Sequence, residues 1–277
     1  MRTPLFILLF LLLLGGTIFT PGQSKAQELT AEQVDPRILA TIFSGHETLH
    51  YEVSWSGGMK IGDIYLQILP EKERPNAYRI SAKVTDYGPL KLMYPVDDVF
   101  SCIVEGEMKL PYRYEVLQRE GLSGKVTKRV TWYDQVLKYA KYQKNDNEPK
   151  RFEMGGKSYN EFAAFIITRA LVLKDGTDVI VPTFADEKRR LVAVNIIKRE
   201  YRHTIFDKKQ LTLKIQPKLN FKGLYEKSGD TILWVTDDQC RVPVEIRSHI
   251  TVGSLVAKLA DYENPACSSL TVQKKKQ

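Results

Sequence analysis

The sequence predicts an all-β protein: a large curved antiparallel sheet, or half-open barrel, of about a dozen strands, with one central packed helix and a short N-terminal helix. Three observations carry this. From Leu49 onward apolar residues alternate with polar ones, in short runs broken by turn clusters such as "EKERPN", "VEGEMKLP" and "REGLSG". The runs set an apolar, aromatic face against one carrying Arg79, Lys83, Arg113, Arg129, Lys214, Arg247 and Lys258, the pattern of an antiparallel sheet wet on one side. Only one segment, starting at Ser158, has strong helical spacing.

Residues 1–26 read as a targeting segment. A basic start at Arg2 precedes an apolar run from Leu5 to Phe19, and Ser24 and Ala26 occupy the −3 and −1 positions of a signal-peptidase site. Cleavage after Ala26 makes Gln27 the mature N-terminus. The formal charge of +8 then falls to +6 with the loss of Arg2 and Lys25. That balance favours acidic surfaces such as anionic lipid or polysaccharide, although the basic residues are spread as a solvated exterior would spread them. Residues 27–45 form a helical arm, with Asp35 as cap, Pro36 at the first helical position and "RILATIF" as its apolar face. Residues 46–263 form a single β domain, and 264–277, with Lys274 to Lys276, a tail.

Within the domain, Tyr51 to Trp55, Ile64 to Ile68, Tyr78 to Val84, Val96 to Val104, Tyr112 to Val116, Val126 to Trp132 and a run through Tyr139 and Tyr142 read as meandering strands. The polar "KNDNEPKRFEMGG" reads as a crossover between two halves. The helix follows, from Ser158 to Leu173, with Ser158 and Glu161 as a capping box. Phe162, Phe165, Ile166 and Ala170 form its apolar stripe, and the segment is apolar on most sides, so it packs inside the sheet's curve. Full burial there implies a cost of roughly 3–5 kcal/mol for Phe165→Ala. Strands resume at Val179 to Phe184 and at "LVAVNII", Leu191 to Ile197, where near-continuous apolarity implies burial on both faces. Leu211 to Ile215 and the stretch from Thr231 to Cys267 complete the sheet.

Few constellations carry chemistry. "GGKS" at 155–158 lacks the glycine that a phosphate loop needs at position 151, where Arg151 stands. His46 and His50, on a strand, would lie about 13 Å apart, too far to share a metal. Asp97–Asp98 and Asp237–Asp238 are neighbours whose side chains point to opposite faces. Asp98, on the parity of Phe100 and Cys102, requires a hydrogen-bond partner, and Asp237–Asp238 sits where a hairpin turns. No nucleophile motif is present. Cys102, Cys240 and Cys267 allow one disulfide and one free thiol. Pairing Thr251 with Ser254 brings Cys240 opposite Pro265, close enough to Cys267 for a bridge that staples the sheet end. Cys102 then stays free and buried. The aromatic residues are the best functional lead: Trp55, Trp132, Trp234, Tyr112 and Phe165 are candidates to line a cavity for an apolar ligand, the alternative being plain core.

Three stretches, "GHETLHYEVSWSGGMKIGDIYLQI", "LMYPVDDVFSCIVEGEMKLPYRYEV" and "LYEKSGDTILWVTDDQCRVPVEIRSHITVGSLVAKLADY", resemble an exported bacterial family, domain of unknown function 3108, over about Gly45 to Tyr262. The resemblance implies a Gram-negative envelope protein with a half-open barrel, and no catalytic residues to transfer. The function expected first is periplasmic binding or carriage of a lipid-like envelope molecule by a monomer. A non-catalytic envelope scaffold with a protein partner comes second, and an enzyme acting on polysaccharide or lipid third. No cofactor, metal or nucleic acid is expected.

Overall fold

The protein is described here by a computed structural model covering residues 28–86, 95–120, 124–185, 187–218, 231–249, 253–270 and 272. The proposed signal segment and the lysine tail lie outside these residues. Among the described residues, fourteen strands form one sheet. They are β1 (Glu47–Trp55), β2 (Met59–Pro70), β3 (Tyr78–Asp86), β4 (Asp97–Glu105), β5 (Leu110–Glu120), β6 (Lys125–Asp134), β7 (Tyr139–Lys144), β8 (Lys150–Glu153), β9 (Val179–Ala185), β10 (Lys188–Arg202), β11 (Gln210–Lys218), β12 (Thr231–Thr236), β13 (Pro243–His249) and β14 (Ser254–Glu263). Among the described residues two α-helices, α1 (Pro36–Ile42) and α2 (Glu161–Arg169), accompany them.

The order is β8-β7-β6-β5-β4-β3-β2-β1-β14-β13-β12-β11-β10-β9. Two meanders are thus zipped together where the first strand pairs with the last, with Val53 opposite Ala257. The chain leaves one edge of the sheet at β8 and re-enters at the opposite edge, β9, and α2 lies on that crossing. The edges nevertheless meet: the rings of Phe152 in β8 and Phe184 in β9 are 6.2 Å apart, and Tyr133 in β6 packs edge-on against Phe184 at 6.3 Å. Strands at opposite ends of a fourteen-strand order touch only if the sheet curls nearly shut. Bulges at His50/Tyr51, Val53/Ser54, Ile103/Val104, Ile196/Lys198 and Trp234/Val235 increase the local twist that permits this. At Gly62 the β2 backbone runs so close to β3 that any Cβ would press into the Thr85 carbonyl oxygen.

The inward parity supplies the core, including Ile68, Ile80, Phe100 and Leu213. The N-terminal arm forms as its residues dictate. The Asp35 carboxylate accepts from the Arg37 and Ile38 amides at 2.9 and 3.4 Å, and Ile38, Leu39 and Ile42 are buried.

Four sequence expectations change. The central helix is shorter than Ser158 to Leu173. Tyr159 bridges Thr183 of β9 in parallel, holding residues before Asn160 extended. Asn160 therefore replaces Ser158 as cap, accepting from the Ala163 amide at 2.6 Å. At the other end Leu171 leaves the helix to bridge Val34. The polar crossover contains an edge strand, β8, paired with β7. "LVAVNII" is buried on one face only: Val192, Val194 and Ile196 point inward while Leu191 and Ile197 are exposed. Arg129 lies opposite Val116, whose parity is inward, so it does not share the outer face with the other basic residues.

Candidate functional site

The α2 helix crosses the interior, sealed at its C-terminal end and bordering a cavity along one face. At the C-terminal end, Arg169 is fully buried and forms a two-pronged ion pair with Glu47 of β1, at 2.6 and 2.8 Å, with both side chains at 0% exposure. Arg169 also donates to the Arg241 and Cys240 carbonyl oxygens at 2.9 and 3.2 Å. Glu47 further accepts from Tyr262 Oη and Asn264 Nδ2 at 3.2 and 3.4 Å. Burial alone would lower the Arg169 pKa, but the Glu47 carboxylate outweighs it and the net direction is upward.

The disulfide reinforces the same end. Cys240 and Cys267 are bonded, with Cα atoms 5.9 Å apart. The observed hairpin register sets His249 opposite Ser254, two residues from the expected pairing, and Thr251 lies outside the described residues. The bridge forms because Cys267 sits in a short 3-10 turn, Pro265–Cys267, and Cys240 in the turn before β13. Asp238 organises that turn by accepting from the Cys240 and Arg241 amides at 2.9 and 3.0 Å. Asp98 is fully buried and accepts from Gln118 Nε2 and the Arg119 amide, at 3.1 and 3.2 Å. Cys102 is free and buried, accepts from Asn160 Nδ2 at 3.2 Å, and burial pushes its thiol up to about 12.

Along one face of α2 the packing opens. A cavity of about 240 Å³ lies between the helix and the sheet's concave face. Phe162, Phe165 and Thr168 form its helical wall, and Ile64, Val84, Phe100, Val192, Leu233 and Ile246 are among the strand residues opposite. Both meanders therefore contribute. The Tyr51 hydroxyl is spoken for, donating to the Pro243 carbonyl oxygen at 2.8 Å. An engineered apolar cavity of about 150 Å³ already admits benzene, so this space is large enough for part of an apolar ligand.

A second cavity of about 330 Å³ lies on the other side of Glu161, which lines both. It is framed by Tyr114, Arg129, Thr131, Tyr133, Tyr142 and Glu187, with Phe184 and Val116 as apolar floor. Phe100 of the first cavity and Val116 of the second are cross-strand neighbours.

Of the aromatic candidates, Phe165 lines the apolar cavity and is only partly buried, because it faces the void. Trp55, Trp132, Trp234 and Tyr112 do not line it. Trp234 is 4% exposed yet lies beneath a cationic cluster, with Arg202 at 4.5 Å, Lys214 at 5.3 Å and Arg247 at 5.5 Å from its ring, and its Nε1 donates to Glu200 at 2.7 Å. Tyr112 carries Arg74 at 3.9 Å, and Trp132 carries Arg113 at 5.8 Å. Trp55 lies against Gly253 below the last hairpin. The rings of Trp234, Tyr112 and Trp132 are shielded by guanidinium and ammonium groups, an arrangement that covers apolar area from the solvent side. Sequence reasoning passed over Arg169 and Glu47. The available signal was a lone arginine in the apolar "EFAAFIITRA", which demands a buried counter-charge.

The fold is similar to that of a beta-barrel-like protein of domain of unknown function DUF1849 from Brucella abortus, whose crystal structure aligns with a TM-score of 0.52 at 7% identity, covering 79% of this chain and 98% of that chain. That likeness concerns the fold alone. No curated protein matches the chain. The family described as protein of unknown function (DUF3108) matches residues 50–260. The chain belongs to the DUF3108 family.

Proposed function

We propose that this protein is exported to the periplasm through a cleaved signal peptide and there binds or carries an apolar or amphipathic envelope molecule such as a lipid. The observation that carries this reading is the cavity of about 240 Å³, whose wall combines Phe162 and Phe165 of α2 with apolar residues of both meanders. An apolar wall supplies affinity roughly in proportion to the area it removes from water, about 25 cal/mol per Å², so a chain-like ligand is held without a conspicuous polar motif. The Cys240–Cys267 disulfide is consistent with an oxidising compartment.

Native mass spectrometry and organic extraction of gently purified protein test the reading. A bound lipid-like mass is the expected result. Protein that emerges empty, and that fails to take up fluorescent lipid analogues, would replace the carrier with a non-catalytic envelope scaffold.

A further inference from the structure

The second cavity differs from the first in one respect that points to a ligand. Tyr114 is only 5% exposed, lines the cavity, and its hydroxyl has no hydrogen-bond partner. A buried hydroxyl left unpaired costs free energy that a partner would recover. Burial, with Glu161 adding to it, holds this phenol well above its usual pKa, so at neutral pH it keeps its proton and can donate. Half-buried Arg129 brings a further donor without a partner, Nε, to the same cavity. Glu187, at the exposed rim, brings a carboxylate, and Glu161 separates this polar space from the apolar one.

From this juxtaposition we infer that the two cavities form one amphipathic site, with an acyl or alkyl chain along Phe162 and Phe165 and a neutral, hydroxyl-bearing headgroup among Tyr114, Arg129, Glu161 and Glu187. The inference rests on the carrier reading and adds the class of headgroup. The donor and acceptor inventory selects it. Arg129 only donates, a carboxylate oxygen accepts, and Tyr114 does both. A hydroxyl group can satisfy the unpaired Tyr114 hydroxyl and Arg129 Nε and still donate to a carboxylate. A phosphate accepts from Arg129 but faces two carboxylates, and an ammonium group suits the glutamates but faces a guanidinium. A sugar or glycerol headgroup meets neither conflict.

Titration calorimetry of the purified full chain with dodecyl glucoside, dodecyl phosphate and dodecylamine, each below its micelle concentration, tests this. The glucoside is expected to bind about tenfold more tightly than either charged probe, and Tyr114→Phe to weaken it about three- to tenfold, the range of one neutral hydrogen bond. The same substitution should leave binding of the apolar dye N-phenylnaphthylamine unchanged. It should leave the urea midpoint unchanged or raise it, because the hydroxyl it removes has no partner; a merely structural hydroxyl would show a lowered midpoint and unchanged glucoside binding. Glu187→Gln, at an exposed position, keeps the test decisive should Tyr114→Phe misfold: it should weaken the glucoside and strengthen the phosphate. Equal affinity for the three headgroups, or tightest binding of phosphate or amine, would overturn the inference and leave the carrier reading standing. Failure of every probe and of the dye would overturn both.

Discussion

At Arg169 the C-terminal end of α2 is packed solid, while at Phe165, about one turn earlier, the same helix faces a void of about 240 Å³. The sealed end concentrates costly devices. A buried ion pair joins α2 to β1, the Cys240–Cys267 bridge closes the turns around it, and α1 docks through Asp35, whose amide donates to the Ala170 carbonyl oxygen at 2.8 Å. The hollow face has mostly apolar walls, with Thr168, Thr183 and Ser248 among them, and, beyond Glu161, a polar space with an unpaired phenol. The comparison teaches how a curled sheet keeps an empty interior: the helix is anchored at its C-terminal end strongly enough that one of its faces need not be packed. A void forfeits dispersion contacts on its lining, so it survives only where something else holds the walls.

The anchor offers the largest perturbation. Arg169→Met leaves the Glu47 carboxylate buried without its counter-charge and should destabilise the protein by about 3–5 kcal/mol in urea unfolding. The double variant Arg169→Met with Glu47→Leu should recover much of that loss, and a cost below about 1 kcal/mol for the single variant would remove the anchor from the comparison. Breaking the disulfide comes next. Its sequence separation of 27 corresponds to about 3.5 kcal/mol in the chain-entropy model, read as a lowered urea midpoint for Cys240→Ser. Non-reducing peptide mapping of the native protein should show the 240–267 link, with Cys102 alkylated only after denaturation because burial keeps it a thiol.

On the hollow face, Phe165→Ala should cost less than about 2 kcal/mol, below the usual range for a core phenylalanine, because the ring already borders empty space. Ile166→Ala, one residue on but fully buried, should cost about 2–5 kcal/mol. Equal losses at the two positions would mean that the helix faces are packed alike. The smallest effect belongs to α1. Burial tends to raise the Asp35 pKa, but hydrogen bonds from the Arg37 side chain and the Arg37 and Ile38 amides outweigh it, and the net shift is downward. A lowered folded pKa means that the cap's contribution, about 1 kcal/mol, is complete above the ordinary value of 3.8 and fades as pH falls below it. Asp35→Ala should therefore be less stable than the parent at neutral pH and converge on it in strong acid.

Much of the fold was legible because period-two alternation is a local signal. It located the meanders, and the Asp35–Pro36 start of α1 needed only neighbouring residues. The functional surface was less legible. Alternation states which residues share a face, as Trp132 shares one with Val130 and Tyr133 with Thr131, but not which face turns inward. Both faces here carry aromatic rings, one set against core and the other beneath arginines, so ring count could not choose between them. The length of α2 was misjudged for a related reason: Ser158 to Asn160 are held extended by β9, a partner residues away in sequence and invisible to helical spacing.

The sequence by itself determined the class of fold, an antiparallel meander with one apolar helix, because that follows from periodicity; it also pointed to the Cys240–Cys267 pair, but through a hairpin register two residues from the observed one. Only the tertiary structure decided that the first strand pairs with the last, that Arg169 finds Glu47 across 122 positions of sequence, and that Tyr114, Arg129, Glu161 and Glu187 converge on one cavity. Such convergence depends on how far the sheet curls before its edges meet, a property of all fourteen strands together that no single stretch of sequence encodes.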